Sequence, residues 1–256
     1  MAYVHKTHPK LNSGQLRIIV VGCGGNGSKL LLRLADLSRT LLALGHPGIH
    51  VVAIDGDRVT EPNLARQPFT RADIGRPKST TLITRINMCY GLGWTAHCAY
   101  VGARKGADVL GRSLLSQDVV ATCVDSRQAR ADVYEATEAV RAAYALDLGN
   151  DSTTGQFALG TLGRGHSSHL PTAVEMWPEI ADPTAAGPGD DGPSCSSEEA
   201  VRRQDPFVHD VLTSAAANTL WRLIRDGQIE HHGAFVNLVS GVTAPIPVPA
   251  PTATAA

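Results

Sequence analysis

The sequence contains little of what marks a disulfide-rich or zinc-stabilised protein. Its 256 residues include five cysteines, and no two of them form a CxxC pair. An odd number of cysteines argues against a complete disulfide framework, and the missing CxxC pairs argue against a four-cysteine zinc site. We therefore expect no structural zinc and a reducing, cytoplasmic environment.

Long apolar runs and an excess of charge are also missing. No stretch offers about 18 uninterrupted apolar residues, and the opening MAYVHKTHPK has no apolar export segment. The formal net charge is −1, so bulk electrostatics do not favour nucleic acid. We expect neither a membrane nor a nucleic-acid partner. The 43% hydrophobic content is enough for the core of one large α/β domain.

Alternating strand-like and helix-like segments predict a doubly wound, mostly parallel, Rossmann-like α/β sheet. Strands are expected at 16–22, 49–57, 95–101, 117–126 and 144–151. Helices are expected at 28–44, 78–93 and 127–143, with a short one at 107–114. An antiparallel extension follows, with a strand at 153–163, a helix at 205–227 and a closing hairpin. We expect an N-terminal arm (1–15), one domain (16–244) with a mobile loop (182–196), and a disordered Pro/Ala/Thr-rich tail (245–256).

The stretch VVGCGGNGSK, residues 20–29, has the composition of a phosphate-binding turn. Gly22 permits the turn, Gly24 and Gly25 allow backbone N–H groups to approach phosphate oxygens, and Gly27 allows close helix packing. An ordinary glycine turn is the simpler alternative. The flanking strand–helix–strand pattern favours nucleotide binding, but a dinucleotide and ATP both suit such a loop.

Two aspartates follow the second predicted strand. Asp55 can accept hydrogen bonds from ribose hydroxyl groups, in NAD as well as in ATP. Asp57 is placed with it among the cofactor-binding residues, because it could hold a metal or position the next loop. A solvated turn aspartate is the equally good alternative for Asp57.

The segment NLARQ, followed by a lysine, favours ATP. Asn63 and Arg66 are three residues apart, so one helical turn would place them on one face with Gln67 beside them. Lys78 opens the next predicted helix. An arginine fork and a lysine charge near a glycine-bound nucleotide suit a triphosphate better than a dinucleotide. Either charge alone would be interpreted as a solvated surface residue.

Asp125 ends the predicted strand VVATCVD. A carboxylate at the carboxyl end of a parallel strand can hold Mg²⁺ that bridges phosphate oxygens. The alternative is a cap for the helix that follows. These two roles compete for the same oxygens.

In this order and spacing, VVGCGGNGS, DGDRVTEPNLARQ, GRPKS and CVDS resemble the ThiF/MoeB/ubiquitin-activating group of adenylating enzymes. The segments YALDLGND, TGQFALG and PSCS before TLWRLI resemble most the ThiF-like family of PRTRC plasmid-associated systems. The resemblance covers residues 16–165 well and 194–225 loosely. It implies a homodimer that uses ATP and Mg²⁺ to adenylate the C-terminal carboxylate of a small ubiquitin-like or sulfur-carrier protein ending in glycine.

The resemblance also implies roles for individual residues. Gly22, Gly24 and Gly27 would shape the phosphate loop, and Asp55 would bind ribose. The triphosphate would be contacted by Asn63, Arg66, Gln67 and Lys78, and Mg²⁺ by Asp125. Catalysis would consist mainly of positioning and charge neutralisation by Arg66, Lys78 and Mg²⁺ as pyrophosphate leaves.

Cys195 lies where some relatives carry a cysteine that accepts the acyl group as a thioester. Because thiolates are favoured near a helix N-terminus, we count Cys195 among the candidate catalytic residues. A plain loop cysteine is the alternative. Cys23, inside the glycine loop, is interpreted as a packing residue. The histidines at 166, 169, 231 and 232 show no third ligand at metal-binding spacing, and we expect exposed polar loops there.

Three alternative functions stay open. An NAD-dependent oxidoreductase would use the glycine loop and Asp55 but leaves NLARQ and Lys78 unexplained. A non-catalytic, nucleotide-binding scaffold would not need Arg66, Lys78 and Asp125 together. Adenylation of a small molecule or of an RNA-borne carboxylate uses the same residues, and the sequence does not separate it from activation of a protein.

Overall fold

A computed structural model describes residues 3–12, 14–102, 119–140, 143–163, 166–185 and 205–250. The strands are β1 (His5–Lys6), β2 (Leu16–Val21), β3 (Ile49–Ile54), β4 (Thr95–His97), β5 (Val119–Thr122), β6 (Tyr144–Asn150), β7 (Thr154–Thr161), β8 (Gln228–Ile229), β9 (His231–Asn237) and β10 (Val242–Pro247). The α-helices are α1 (Gly25–Ala43), α2 (Lys78–Tyr90), α3 (Arg127–Val140), α4 (Ala173–Met176) and α5 (Val208–Arg225).

The main sheet has eight strands in the order β4-β3-β2-β5-β6-β7-β9-β10. The pairs from β4 to β6 are parallel, and those from β6 to β10 are antiparallel. This confirms the predicted Rossmann-like sheet with an antiparallel extension. The carboxyl ends of β2, β3 and β5 lie side by side, which is where ligands of open α/β sheets bind.

The alternation of side chains along the strands divides the core between two faces. Ile18 and Val20 of β2 belong to the large cluster packed under α1, α2 and α5, whereas Ile19 and Val21 face a smaller cluster that contains Val133 of α3. Both faces of β2 are therefore covered by helices, as its uninterrupted apolar sequence predicts. Among the described residues, no helix is long and apolar enough to cross a membrane.

Several predicted boundaries differ from the observed ones. The predicted helix at 28–44 begins earlier, at Gly25, and the predicted strand at 95–101 ends at His97. The prediction of a disordered tail from residue 245 is wrong at its start, because β10 runs to Pro247 and pairs with β9. Val248 is buried at 3% exposure. Its N–H donates to Glu230 O over 2.8 Å. Pairing with β9 in the closing hairpin therefore orders residues 245–247.

The N-terminal arm packs on the body of the protein. His5 and Lys6 pair with Ile229 and Gln228 of β8. His5 is fully buried, and its imidazole nitrogens contact Ser168 Oγ and Tyr144 Oη, each over 2.9 Å. The arm is thus fixed at the amino end of β6. The glycine loop lies at the opposite edge of the sheet, where the parallel strands have their carboxyl ends.

Candidate nucleotide site

The glycine loop connects β2 to α1, and two of its glycines are required by backbone contacts. Gly22 has φ +90°, and a Cβ there would lie 2.6 Å from Cys123 O. A Cβ on Gly27 would lie 1.8 Å from Gly22 O. The loop therefore presses the start of α1 directly onto the ends of β2 and β5. This packing places the N-terminus of α1 at the carboxyl edge of the sheet.

Gly24 differs from these glycines because its surroundings are open. Among the described residues, the atom nearest to a Cβ built on Gly24 is Gln67 Nε2, at 4.0 Å. Gly24 is also the N-cap of α1, and no side chain caps the helix there. The first N–H groups of a helix have no intrahelical partner and carry partial positive charge. An anion can therefore reach the helix N-terminus on the Gly24 side.

Asp55 fastens the glycine loop to the end of β3. Its Oδ2 accepts the Cys23 N–H over 2.5 Å, and its Oδ1 accepts the Asp57 N–H over 2.7 Å. The carboxyl group is buried, and burial raises its pKa. Cys23 is fully buried, and burial also raises the pKa of its thiol. The structure thus gives Asp55 a loop-holding function, and its contact with ribose stays a prediction.

Lys78 enters the site from the first turn of α2. Its Nζ lies 3.1 Å from Asp57 Oδ2, and its side chain is 9% exposed against 52% for Asp57. The other oxygen of Asp57 accepts the Tyr100 hydroxyl over 2.8 Å. The carboxylate raises the pKa of Tyr100 to about 12. Asp57 is therefore an organised partner of Lys78 and not merely a solvated turn residue.

The NLARQ segment, residues 63–67, begins in a 3-10 helix, Glu61–Ala65, and its last two residues follow that helix. Asn63 closes a capping box, because its Oδ1 accepts the Thr60 N–H over 2.9 Å. Arg66 ends this 3-10 helix, and its partial burial lowers the pKa of the guanidinium. Gln67 follows and faces Gly24. Asn63 thus shapes the turn, while Gln67 reaches the loop.

Asp125 lies just beyond β5 and is exposed. Ser126, rather than Asp125, caps helix α3, since the Ala129 N–H donates to Ser126 Oγ over 3.2 Å. The capping role weighed for Asp125 therefore belongs to its neighbour. Within the described ranges, no group of three or more His, Cys, Asp or Glu side chains could hold a metal ion. A single carboxylate is nevertheless what Mg²⁺ needs when phosphates supply its other ligands.

Cys195 lies outside the described residues, as do residues 186–196 of the predicted mobile loop and residues 107–114, where a short helix is expected. The nucleophilic role of Cys195 stays a prediction. The expectation of exposed loops at the histidines is wrong for His232, which is 1% exposed. This residue lies in β9, where its Nδ1 contacts Leu159 O over 2.9 Å.

Sequence reasoning missed a buried ion pair beside the site. Arg130 Nε of α3 lies 3.0 Å from Asp147 Oδ2 of β6, and both side chains are less than 10% exposed. Arg130 also donates to the carbonyl oxygens of Val124 over 3.0 Å and Ile180 over 3.4 Å. Burial raises the pKa of Asp147, and Arg130 counteracts this. An acidic residue inside the apolar strand YALDLG was the available signal, since buried charges need partners.

Sequence reasoning also missed His209 and Asn26. His209 lies in α5, and its ring contacts the glycine loop at Gly25. No local motif around His209 indicates this contact, because 183 residues separate His209 from Asn26.

The parallel sheet, the glycine loop at a helix N-terminus and the cations around it define a Rossmann-like nucleotide-binding fold. Residues 8–150 match the ThiF family, and the chain belongs to that family. Among curated proteins, none matches the sequence. The PRTRC-specific family remains an expectation.

Solved structures show the same fold at low sequence identity. The chain is similar to Escherichia coli MccB with ATP at a TM-score of 0.63 and 14% identity, covering 97% of this chain and 68% of that one. It is similar to MccB with AMPCPP and MccA at 0.61 and 15%, covering 96% and 67%. PaaA gives 0.60 and 15%, covering 93% and 65%. The chain thus spans about two thirds of the length of these neighbours.

Proposed function

We propose that this protein uses ATP and Mg²⁺ to adenylate a C-terminal carboxylate. The observation that carries the proposal is the open approach to Gly24 at the N-terminus of α1, with Gln67 facing it. The charge of Arg66 acts on His209, whose ring contacts Gly25. Lys78 is the second cation at this edge, since its charge acts on Cys23 in the loop and on Asp55. Two cations and a helix N-terminus around one opening suit a polyphosphate better than a neutral ligand.

Each residue would contribute positioning or charge. The N–H groups at Gly24 and Gly25 would bind phosphate oxygens, and Asp55 would accept a ribose hydroxyl with the lone pairs that its two backbone contacts leave. Arg66, Gln67 and Lys78 would bind the phosphates. The carboxylate nucleophile needs no general base, so catalysis would consist of alignment and neutralisation of charge as pyrophosphate leaves. Mg²⁺ would be held by phosphate oxygens with Asp125 as a protein ligand and would supply further neutralisation.

The acceptor would be a small protein or peptide that ends in glycine. The MccB structure that holds MccA together with AMPCPP supports a search among peptides and small proteins. A homodimer and a thioester on Cys195 extend the proposal as expectations. Adenylation of a small molecule would use the same nucleotide-binding residues. It would be seen as exchange of labelled pyrophosphate into ATP that depends on a non-protein carboxylic acid.

The first experiment separates ATP from NAD. Thermal unfolding of the wild-type protein is measured with ATP–Mg²⁺ and with NADH, and we expect stabilisation by ATP–Mg²⁺ only. Stabilisation by NADH alone would favour an oxidoreductase.

The second experiment measures exchange of labelled pyrophosphate into ATP with candidate acceptors. Arg66→Gln should reduce exchange at least about tenfold, because a charge-assisted contact to phosphate contributes about 1.5–3 kcal/mol. Arg71→Gln is the matched control, since the Arg71 side chain is 84% exposed and pairs with Glu61. Exchange unaffected by Arg66→Gln would contradict the proposed contact of Arg66 with the phosphates. ATP binding without exchange with any acceptor would contradict adenylation and favour a scaffold.

A further inference from the structure

A chain of buried polar side chains connects α5 to the glycine loop. His209 and Asn26, in the first turns of α5 and α1, are 4% and 8% exposed. His209 Nδ1 lies 3.0 Å from Asn26 Oδ1, and Asn26 Nδ2 donates to Asn150 Oδ1 over 2.9 Å. Because Asn150 ends β6, the chain joins α5, α1 and the sheet at its carboxyl edge.

The order of hydrogen bonds assigns the proton on the imidazole. Asn26 uses its amide group on Asn150, so its carbonyl oxygen faces His209, and Nδ1 is the donor. The other ring nitrogen, Nε2, has no hydrogen-bond partner in the part of the chain that the structure describes. Burial, followed by the charges of Arg66 and Lys29, lowers the pKa of His209 to about 4. The ring is therefore neutral near pH 7.

The same imidazole contacts the glycine loop. A Cβ on Gly25 would lie 2.3 Å from both Cε1 and Nε2 of His209. Glycine at position 25 is thus required by the ring of His209, whereas Gly24 borders open space. The ring contacts one residue of the first turn of α1 through its edge and the next, Asn26, through Nδ1. Rotation of that turn would break both contacts.

We propose that His209 is a positioning residue of the nucleotide site, which holds Gly25 and Asn26 so that the N–H groups of the first turn of α1 point at the phosphates. This inference rests on the proposed function. It differs from the roles of Arg66 and Lys78 because His209 acts through the loop backbone. A neutral ring at this position also adds no charge that would repel Arg66.

Two substitutions separate the roles of the ring nitrogens. His209→Asn retains an amide donor near the position of Nδ1, whereas His209→Gln places its amide near Nε2. The affinity for ATP–Mg²⁺ is measured by isothermal titration. We expect a Kd within about threefold of wild type for His209→Asn and an increase of about tenfold for His209→Gln and His209→Ala, since each loses one buried hydrogen bond.

Gly25 provides an independent measurement of the contact. Gly25→Ala should weaken ATP binding in the wild-type background, where the new methyl group meets the ring. In the His209→Ala background the same substitution should have a smaller effect, so the two changes should be non-additive. Additive effects would overturn the proposed contact between the ring and the loop.

His232→Ala is the matched control, because His232 is also a buried histidine whose Nδ1 is hydrogen-bonded. Its partner is the backbone oxygen of Leu159, in place of a side chain of the glycine loop. Its Kd for ATP–Mg²⁺ should stay within about twofold of wild type. Equal losses in His209→Ala and His232→Ala would show a general effect on folding and overturn the inference. An unchanged Kd in folded His209→Ala would overturn the inference alone. Failure of the wild-type protein to bind ATP would overturn the proposed function as well.

Discussion

Gly24 and Gly27 lie three residues apart in the same loop, yet substitution by alanine should mainly affect ligand binding at one position and stability at the other. A Cβ on Gly27 would lie 1.8 Å from Gly22 O, whereas at Gly24 the nearest described atom is Gln67 Nε2 at 4.0 Å. We expect Gly27→Ala to destabilise the protein and Gly24→Ala to weaken nucleotide binding. The loop would thus contain one glycine that is needed for packing and another that is needed for ligand contact.

The magnitude for Gly27→Ala follows from the close approach. The new carbon would lie roughly 1.5 Å inside the shortest ordinary C···O contact of about 3.3 Å. The obstructing atom belongs to backbone, so helix and loop must move apart. Overpacking of this kind costs about 1–3 kcal/mol, and we expect the upper end, about 3 kcal/mol. For a chain of this size, that lowers Tm by about 6–12 °C.

Gly24→Ala should lower the free energy of unfolding by about 1–2 kcal/mol, less than Gly27→Ala. Alanine is a poorer N-cap than glycine, and the Gly24 backbone, at φ −75° and ψ −144°, lies outside the regions that residues with a Cβ favour. The methyl group would stand between Gly24 and Gln67, where a phosphate is proposed to bind. We expect the Kd for ATP–Mg²⁺ to rise about tenfold or more, which corresponds to about 1.4 kcal/mol.

The assay combines thermal unfolding with isothermal titration for both variants. Gly93→Ala is the control for the general effect of replacing glycine, since no atom of the described chain lies within 4 Å of a Cβ built there. Equal Tm values for Gly27→Ala and wild type would refute the packing argument. Unchanged ATP affinity in Gly24→Ala would refute the proposal that phosphate occupies the open side of the loop.

Two further predictions concern stability. Arg130→Met should lower the free energy of unfolding by about 3–5 kcal/mol in urea titrations, because it leaves Asp147 buried without its cation. The double variant Arg130→Met/Asp147→Leu should recover part of that loss. No recovery would contradict the charge argument. Burial, followed by the charge of His166, lowers the pKa of His5 to about 4. The stabilisation from neutral His5 is therefore complete above the unfolded pKa of about 6.5 and is lost as the pH falls towards 4, by at most about 3 kcal/mol. Urea titrations at pH 7 and pH 4.5 should show this loss, and His5→Gln should reduce it; the same slope in that variant would contradict the assignment.

Local sequence sufficed where one segment determines its own structure. The apolar run before Gly22 predicts β2, since a strand covered on both faces needs apolar residues throughout. The glycines predict the turn into α1, since Gly22 and Gly27 leave no room for a Cβ. By contrast, the buried position of His232 depends on the pairing of β9 with β7, where its Nδ1 contacts Leu159 O, 73 residues away in the sequence. This position therefore arises from a strand distant in sequence.

The same distinction explains which parts of the candidate site were found. The spacing in NLARQ identified a turn that carries Arg66 and Gln67 towards the loop, but it could not show that Asn63 uses its side chain on Thr60. The glycine loop was recognisable, but its support by His209 was not, because the contact joins the first and last long helices. Phosphate-binding loops therefore carry a local signature, whereas the residues that hold them in position are determined by tertiary packing and vary with the surrounding helices.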